Sequence, residues 1–331
     1  MHMGARAAGG RPANTRSGSG SGTRQSDRLG DGLLRGVCML AALLAVLAIV
    51  AISYQLIHGA SPAISRFGLG FLGHSTWQPN FGVFGAATFI YGTAVTSLMA
   101  MLLSVPLGIS IALYLSMMAP RRVRSVVGPL VEMLAAIPSV ILGFWGILVL
   151  GPFLQAHLEP FLHSTLGFLP IFGPTPTTGS GLFIAGLILT IMVVPIIASI
   201  SRDLFLSVPR ELQDGATALG ATPWEVLRGV VLPSSASGIA AAAFLGLGRA
   251  LGEAIAVTQV VGAGNFIHAS LFQTGDTLAS RIADQFQGAA TKLTIASLFY
   301  LGLILLVIGL VANLAAQLIT RRFDVSRVSA R

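Results

Sequence analysis

The sequence predicts an all-α integral membrane protein with six transmembrane helices. Three observations predict it. Of the 331 residues, 54% are hydrophobic and only 10% are charged, where soluble domains carry about 25% charged residues. Six stretches are apolar for long enough to cross a bilayer, which takes about 20 residues of helix: Gly36–Ile57, Phe89–Leu115, Val126–Leu150, Leu182–Ile200, Ile239–Gly262 and Leu293–Ile319. The arginines between those stretches crowd alternate connections, the asymmetry that fixes orientation in a membrane.

Residues 1–32 are rich in Gly, Ser, Arg and Thr and have no apolar periodicity, so they read as a disordered, basic cytosolic arm. The apolar run that follows is longer than a signal-peptide core and reads as a retained anchor. Residues 33–88 hold this first transmembrane helix and an exported loop. Residues 89–322 form the core domain, with five further transmembrane helices and a polar loop at 207–233, and 323–331 form a cytosolic tail. Pro106, Pro138 and Pro195 fall inside the second, third and fourth spans. Such breaks persist in lipid where neighbouring helices or water satisfy the freed carbonyls. The single cysteine, Cys38, lies in the first span, so no intramolecular disulfide forms.

The arginines set the orientation. Arg6, Arg11, Arg16, Arg24, Arg28 and Arg35 flank the first span on one side. Arg121, Arg122 and Arg124 follow the second, Arg202, Arg210 and Arg228 the fourth, and Arg321, Arg322, Arg327 and Arg331 the sixth. The opposite side holds only Arg66, Arg281 and Lys292. Both termini and the 207–233 loop are therefore expected in the cytosol, in a multi-pass protein of the cell (plasma or inner) membrane. Topology accounts for the net charge of +8, which makes lipid the implied partner and argues against nucleic acid. The exported connections are about 58–88, 151–181 and 263–292. In the last, Leu278, Ile282 and Phe286 recur every four residues and predict a short amphipathic helix at the outer membrane surface.

The 207–233 loop reads SVPRELQDGATALGATPWEVLRGVVLP. Val208, Leu212, Gly215/Ala216 and Leu219 fall at helical spacing on one narrow face. Ser207 is the expected N-cap, with Pro209 in the first turn. Gly220 suits a left-handed helix end. Thr222 and Glu225 form an expected capping box with Pro223 at the first helical position, and Pro233 limits the second helix. Taken alone, these residues fit an ordinary amphipathic connector as well as a docking loop.

Three charged residues are expected inside spans: Glu132, Arg249 and Glu253. Intramembrane charges are costly and point to function. Arg249 and Glu253 are four apart, so on a helix they share a face and can pair. One reading is a structural ion pair. The other is a guanidinium placed to meet an oxyanion, whose planar fork suits phosphate, with Glu253 holding it while no anion is bound. Glu132 reads as structural.

Two sets of residues resemble known families. Asp214-Gly215-Ala216, three residues, Gly220, nine residues, Val230, one residue and Leu232-Pro233 resemble the E-A-A-x3-G-x9-I-x-L-P loop of ABC-transporter permeases, with Asp for Glu and Gly for the first Ala. The run from Gly246 to Thr258, GLGRALGEAIAVT, and the run from Ala135 to Gly146, AAIPSVILGFWG, resemble signatures of phosphate-specific permeases of the PstC type. Trp77-Gln78-Pro79, Tyr91-Gly92-Thr93 with Ser97, and Ser270-Leu271-Phe272 before Thr277 extend the likeness over about 33–322. The resemblance implies an ABC-importer permease (MetI-like) fold with a cytosolic coupling helix, in a complex that imports inorganic phosphate at the expense of ATP. It implies a second permease subunit of the PstA type, a PstB-type ATPase dimer carrying ATP and Mg, and a PstS-type phosphate-binding protein. Under it Arg249 and Glu253 become the translocation pair, and Asp214, Gly215, Ala216 and Gly220 part of the ATPase-docking surface.

The chain itself is expected to be non-catalytic and to bind no cofactor or metal. The only lysine, Lys292, lies outside any G-x4-G-K-[ST], the six histidines are scattered, and G-x-S-x-G and H-E-x-x-H are absent. Two alternatives remain: a permease for another oxyanion such as sulfate or molybdate, and a proton-coupled secondary transporter using Glu132 and Glu253 as a relay. The second leaves the 207–233 loop unexplained.

Overall fold

The computed structural model describes residues 23–174 and 178–322, so most of the basic arm and the 323–331 tail lie outside the described residues. The chain divides into two compact units, one ending at Tyr54 and the other starting at Gln55. Helix α1 (Thr23–Phe67) belongs to both. In the first unit, Leu33, Leu40, Leu44, Leu47 and Ile52 are all exposed. A helix apolar all round is suited to hydrocarbon.

The second unit is built of helices joined by loops, and among the described residues its only β pairing is an isolated bridge between Gln78 and Val83. Its helices are α2 (Ala87–Met118), α3 (Arg121–Ala135), α4 (Ser139–Leu166), α5 (Leu182–Ser207), α6 (Arg210–Ala218), α7 (Pro223–Gly252), α8 (Ile255–Val260), α9 (Leu278–Gln285) and α10 (Lys292–Arg322). With α1, the helices α2, α4, α5, α7 and α10 are long and apolar enough to span a membrane. Among the described residues the fold is all-α with six such helices.

Helix α5 is the axis of the unit. Ile184, Ala185, Ile188, Leu189, Val193 and Ile197 are fully buried along it, packed with Ala100 and Met99 of α2 and Val257 and Val260 of α8. Hydroxyls in α2 are satisfied within the helix: Thr93 donates to Phe89 O at 2.7 Å and Thr96 to Gly92 O at 2.8 Å. Lipid offers no partner, so back-bonding of this kind is how a membrane helix carries Ser and Thr. Gly92 also lets the loop before α9 close on α2, since a Cβ there would lie 2.0 Å from the Asp276 carbonyl oxygen. A second cluster gathers Phe71, Trp77, Phe84, Phe89, Leu278 and Tyr300, with the Trp77 indole donating to Gln285 at 2.9 Å. A third joins Ala112 of α2, Phe205 of α5, Val208, and Val226, Leu227 and Val231 of α7.

Two spans depart from the sequence expectation. The third was expected at Val126–Leu150; the membrane-length helix is Ser139–Leu166 instead. Residues 136–138 break the chain, because Pro138 disfavours helical backbone at the residue before it. Val126 to Ala135 therefore belong to α3, an amphipathic helix with Arg121, Arg122 and Arg124 in its first turn. Glu132 leaves the membrane span with them. The fifth span was expected at Ile239–Gly262 behind a helix limited by Pro233. Instead α7 runs unbroken from Pro223 to Gly252. A π turn at Leu227–Val231 lies just before Pro233 and absorbs it. The break comes at Glu253 and Ala254.

Candidate functional site

The loop at 207–233 folds from local signals. Ser207 does not cap α6: it is the last residue of α5, its hydroxyl donating to Leu204 O at 2.7 Å, and α6 starts at Arg210 after Pro209. Gly220 takes a φ of 90°, and the amides of Gly220 and Ala221 return to Thr217 O and Ala216 O. That is the left-handed helix ending a glycine permits. The Thr222–Glu225 capping box forms, with Thr222 N donating to Glu225 Oε2 at 2.8 Å and Pro223 at the first helical position.

The expected apolar face of this loop divides in two. Val208 is buried in the third cluster and Ala216 packs against it. Leu212, Leu219 and Trp224 face outward at 54%, 90% and 61% exposure. Asp214, Gly215 and Gly220 are exposed beside them. Four of the sequence-predicted residues, Asp214, Gly215, Ala216 and Gly220, thus lie on one short helix and its end. Next to them stand large apolar side chains that nothing among the described residues covers.

Arg249 and Glu253 are brought together, though not as two residues of one helix. Arg249 lies in the last turn of α7, while Glu253 is the residue after it, in extended backbone. Their nearest charged atoms are 3.8 Å apart, with Arg249 43% and Glu253 9% exposed. The carboxylate also accepts from Ala256 N at 3.3 Å, at the start of α8. Arg249 reaches into a groove of about 1110 Å³ between α7 and α10, lined also by Phe244, Gly248, Leu306 and Asn313. Because α7 is continuous over 30 residues, with a π turn at Leu227–Val231, the outward-facing Trp224 and the guanidinium of Arg249 lie on one helix, about 40 Å apart along its axis.

The third expected intramembrane charge behaves differently. Glu132, on α3, pairs with Arg202 of α5 at 2.7 Å, the two being 49% and 19% exposed. The expected set of three charges in spans also changes: Glu132 and Glu253 fall outside the membrane-length helices, while Glu159 lies within α4 and is buried to 1% exposure. No metal-holding group of three His, Cys, Asp or Glu side chains occurs among the described residues.

Sequence reasoning missed a fully buried ion pair. Asp276 and Arg281 are 2% and 3% exposed and 2.8 Å apart. Arg281 also donates to Asn265 and stacks over the Phe89 ring, 4.7 Å from its centroid. Asp276 accepts from Thr277 N at 2.9 Å and from the Ser280 hydroxyl. Burial pushes the Asp276 carboxyl above its ordinary range, with Arg281 pulling the other way. The amphipathic helix expected here does form, as α9, but it does not lie free at a surface. Leu278 is buried and Arg281 lies on the buried side, while Phe286 is 51% exposed. The available signal was the capping box of Thr277 and Ser280, which Asp276 and Arg281 straddle.

The chain is similar to known proteins along most of its length. Residues 104–325 match the family described as binding-protein-dependent transport system inner membrane component. The phosphate transport system permease protein PstC of Mesorhizobium japonicum is 41% identical over 300 residues, covering 89% of this chain and 91% of that one. PstC of Pasteurella multocida is 40% identical over 88% of this chain and 92% of its own. PstC 1 of Mycobacterium tuberculosis is 37% identical over 86% and 90%. Among solved structures, a bacterial alginate ABC transporter in complex with its pentasaccharide-bound periplasmic protein aligns with a TM-score of 0.58 at 20% identity. That alignment covers 89% of this chain and 98% of the matched one, and at such identity it speaks for the fold.

Proposed function

This chain belongs to the binding-protein-dependent transport system inner membrane component family, and within it to the PstC-type phosphate transport permeases; from that premise we propose how it moves its substrate. It is a multi-pass membrane permease subunit, itself non-catalytic, of a phosphate ABC importer. In our reading phosphate arrives from an extracytoplasmic PstS-type protein and passes beside Arg249, and a PstB-type ATPase dimer drives the step. A PstA-type subunit completes the pathway, and ATP and Mg belong to the ATPase. Both termini face the cytosol.

The observation that carries the reading is the continuity of α7. The loop with exposed Leu212, Leu219 and Trp224 offers a hydrophobic surface beside Asp214, Gly215 and Gly220. Desolvated apolar contacts of this kind dominate protein docking. A displacement applied at Trp224 passes along one continuous helix, through the π turn at Leu227–Val231, as far as Gly252, so it tilts the segment that carries Arg249. The loose contact to Glu253 suits the exchange that transport requires. The guanidinium can leave a carboxylate at 3.8 Å for a doubly hydrogen-bonded phosphate, and Glu253 then reclaims it and repels the anion onward.

The test is labelled-phosphate uptake by the reconstituted complex, with sulfate as competitor. Uptake that needs ATP, ignores sulfate and is lost in an assembled Arg249→Gln complex supports the reading. Normal uptake by Arg249→Gln removes Arg249 from the pathway. Leu219→Asp is expected to abolish co-purification of the ATPase while leaving the permease folded; retained co-purification would place docking elsewhere.

A further inference from the structure

Arg249 shares its groove with other polar groups. Asn313, Gln317 and Thr320 of α10 line the same cavity. Thr320 is satisfied in its own helix, where its hydroxyl donates to Ala316 O. Asn313 and Gln317 are exposed, and among the described residues neither amide meets a hydrogen-bonding partner. Asn313 precedes Arg322 by about 13 Å of helix at 1.5 Å per residue, which keeps it within the apolar span. A carboxamide has donors and an acceptor to satisfy, and lipid chains satisfy neither.

The rest of α10 is sorted by side. Val311, Leu314 and Leu318 are exposed and lie outside the groove, on a face suited to lipid. The amides stand one turn apart on the other face, with Gly309, Ala312 and Ala316 between and around them. As successive spans, α7 and α10 run in opposite directions. The groove therefore carries Arg249 near the exported end of α7 and Asn313 and Gln317 toward the cytosolic end of α10.

We propose that Asn313 and Gln317 form the cytosolic continuation of the phosphate path, two neutral donors that take the anion's oxygens after it leaves Arg249. This rests on the phosphate-importer reading above. A neutral amide suits the position: conduction needs a site that binds well enough to enter and weakly enough to leave, and a second guanidinium would hold the anion. Two amides at one-turn spacing replace part of the anion's hydration without fixing it by charge.

The test uses the complete complex, labelled in inside-out vesicles and then reconstituted for uptake measurements, with Cys38→Ala and the partner subunits freed of cysteine. Into it are placed Asn313→Cys, Gln317→Cys or, as the lipid-face control, Leu314→Cys. A negatively charged methanethiosulfonate is added from the cytosolic side. The thiols at 313 and 317 are expected to react roughly tenfold faster than the one at 314, since a charged reagent does not enter lipid. Their modification should block labelled-phosphate uptake, and inorganic phosphate should slow the reaction. Reactivity no greater than at 314, or full modification with uptake unchanged, overturns the proposal. So does cross-linking of Asn313→Cys to the second permease subunit with no aqueous reactivity, which would make the groove a subunit interface. If the cysteine-free parent takes up no phosphate, the importer reading fails; if it does while 313 and 317 stay unreactive, this inference alone fails.

Discussion

Two arginine–carboxylate pairs in the same unit stand at opposite extremes. Arg281 and Asp276 are 3% and 2% exposed and 2.8 Å apart, with Asn265, the Phe89 ring, Thr277 and Ser280 meeting their remaining sides. Arg249 and Glu253 are 43% and 9% exposed and 3.8 Å apart, and the carboxylate is shared with the Ala256 amide. A charge taken out of water has to be met on every side. Arg281 is enclosed among these partners at 3% exposure and presents no open face to a ligand. Arg249 has one loose partner and an open groove. Enclosure, 3% against 43% exposure, is what separates the two arginines.

Breaking the buried pair has the largest expected effect. Arg281→Met leaves the Asp276 carboxyl buried without its counter-charge, a loss of about 3–5 kcal/mol. In detergent it should appear as a collapse of the thermal unfolding midpoint or of the yield of assembled complex. The double variant Asp276→Asn/Arg281→Met should recover much of that loss; failure to recover would mean that Arg281 matters through Phe89 and Asn265.

Arg249→Gln inverts the pattern. Its unfolding midpoint should stay within the range of surface substitutions, about 0.5 kcal/mol. Phosphate uptake should fall about ten- to a hundredfold, the equivalent of one charge-assisted hydrogen bond. A destabilised Arg249→Gln with proportionate loss of uptake would erase the distinction between the two pairs.

Glu132→Gln supplies the smallest effect and the finest test. Its pair with Arg202 is as short as the buried one, at 2.7 Å, but Glu132 is 49% exposed. Screening by solvent limits such a pair to about 1 kcal/mol or less. A small shift in the unfolding midpoint would show that burial sorts these pairs; a loss comparable to Arg281→Met would show that distance does.

Much of this was legible in the sequence, and the failures have physical causes. The left-handed Gly220 and the Thr222–Glu225 box were readable because each depends on residues within one turn. The number of spans was readable because hydropathy is additive along a chain. The break at Pro138 was not, since apolar residues of an amphipathic helix such as Val126, Leu130 and Met133 count toward a window whichever way they point. Prolines were misjudged in opposite directions: Pro138 ends a helix that was expected to continue, and Pro233 continues one that was expected to end. A π turn ahead of the ring makes the difference, and no local signal announced it. Asp276 and Arg281 escaped notice because a spacing of five has no helical meaning; they meet only because the loop before α9 folds back on Gly92 and Phe89.

The π turn at Leu227–Val231 also bears on how long this chain is allowed to be. A π turn holds one residue more than the α geometry on either side needs, so the rod beyond it keeps the facing of a shorter helix. Removing one residue between 227 and 231 would convert the turn to regular helix and leave Arg249 looking into its groove. Removing one between 236 and 246 would swing everything after it by about 100°, one residue's share of a helical turn, and aim the guanidinium at a neighbour or at lipid. The segment joining the 207–233 loop to the arginine therefore has one place where length is negotiable. Everywhere else along it, residue count is angle.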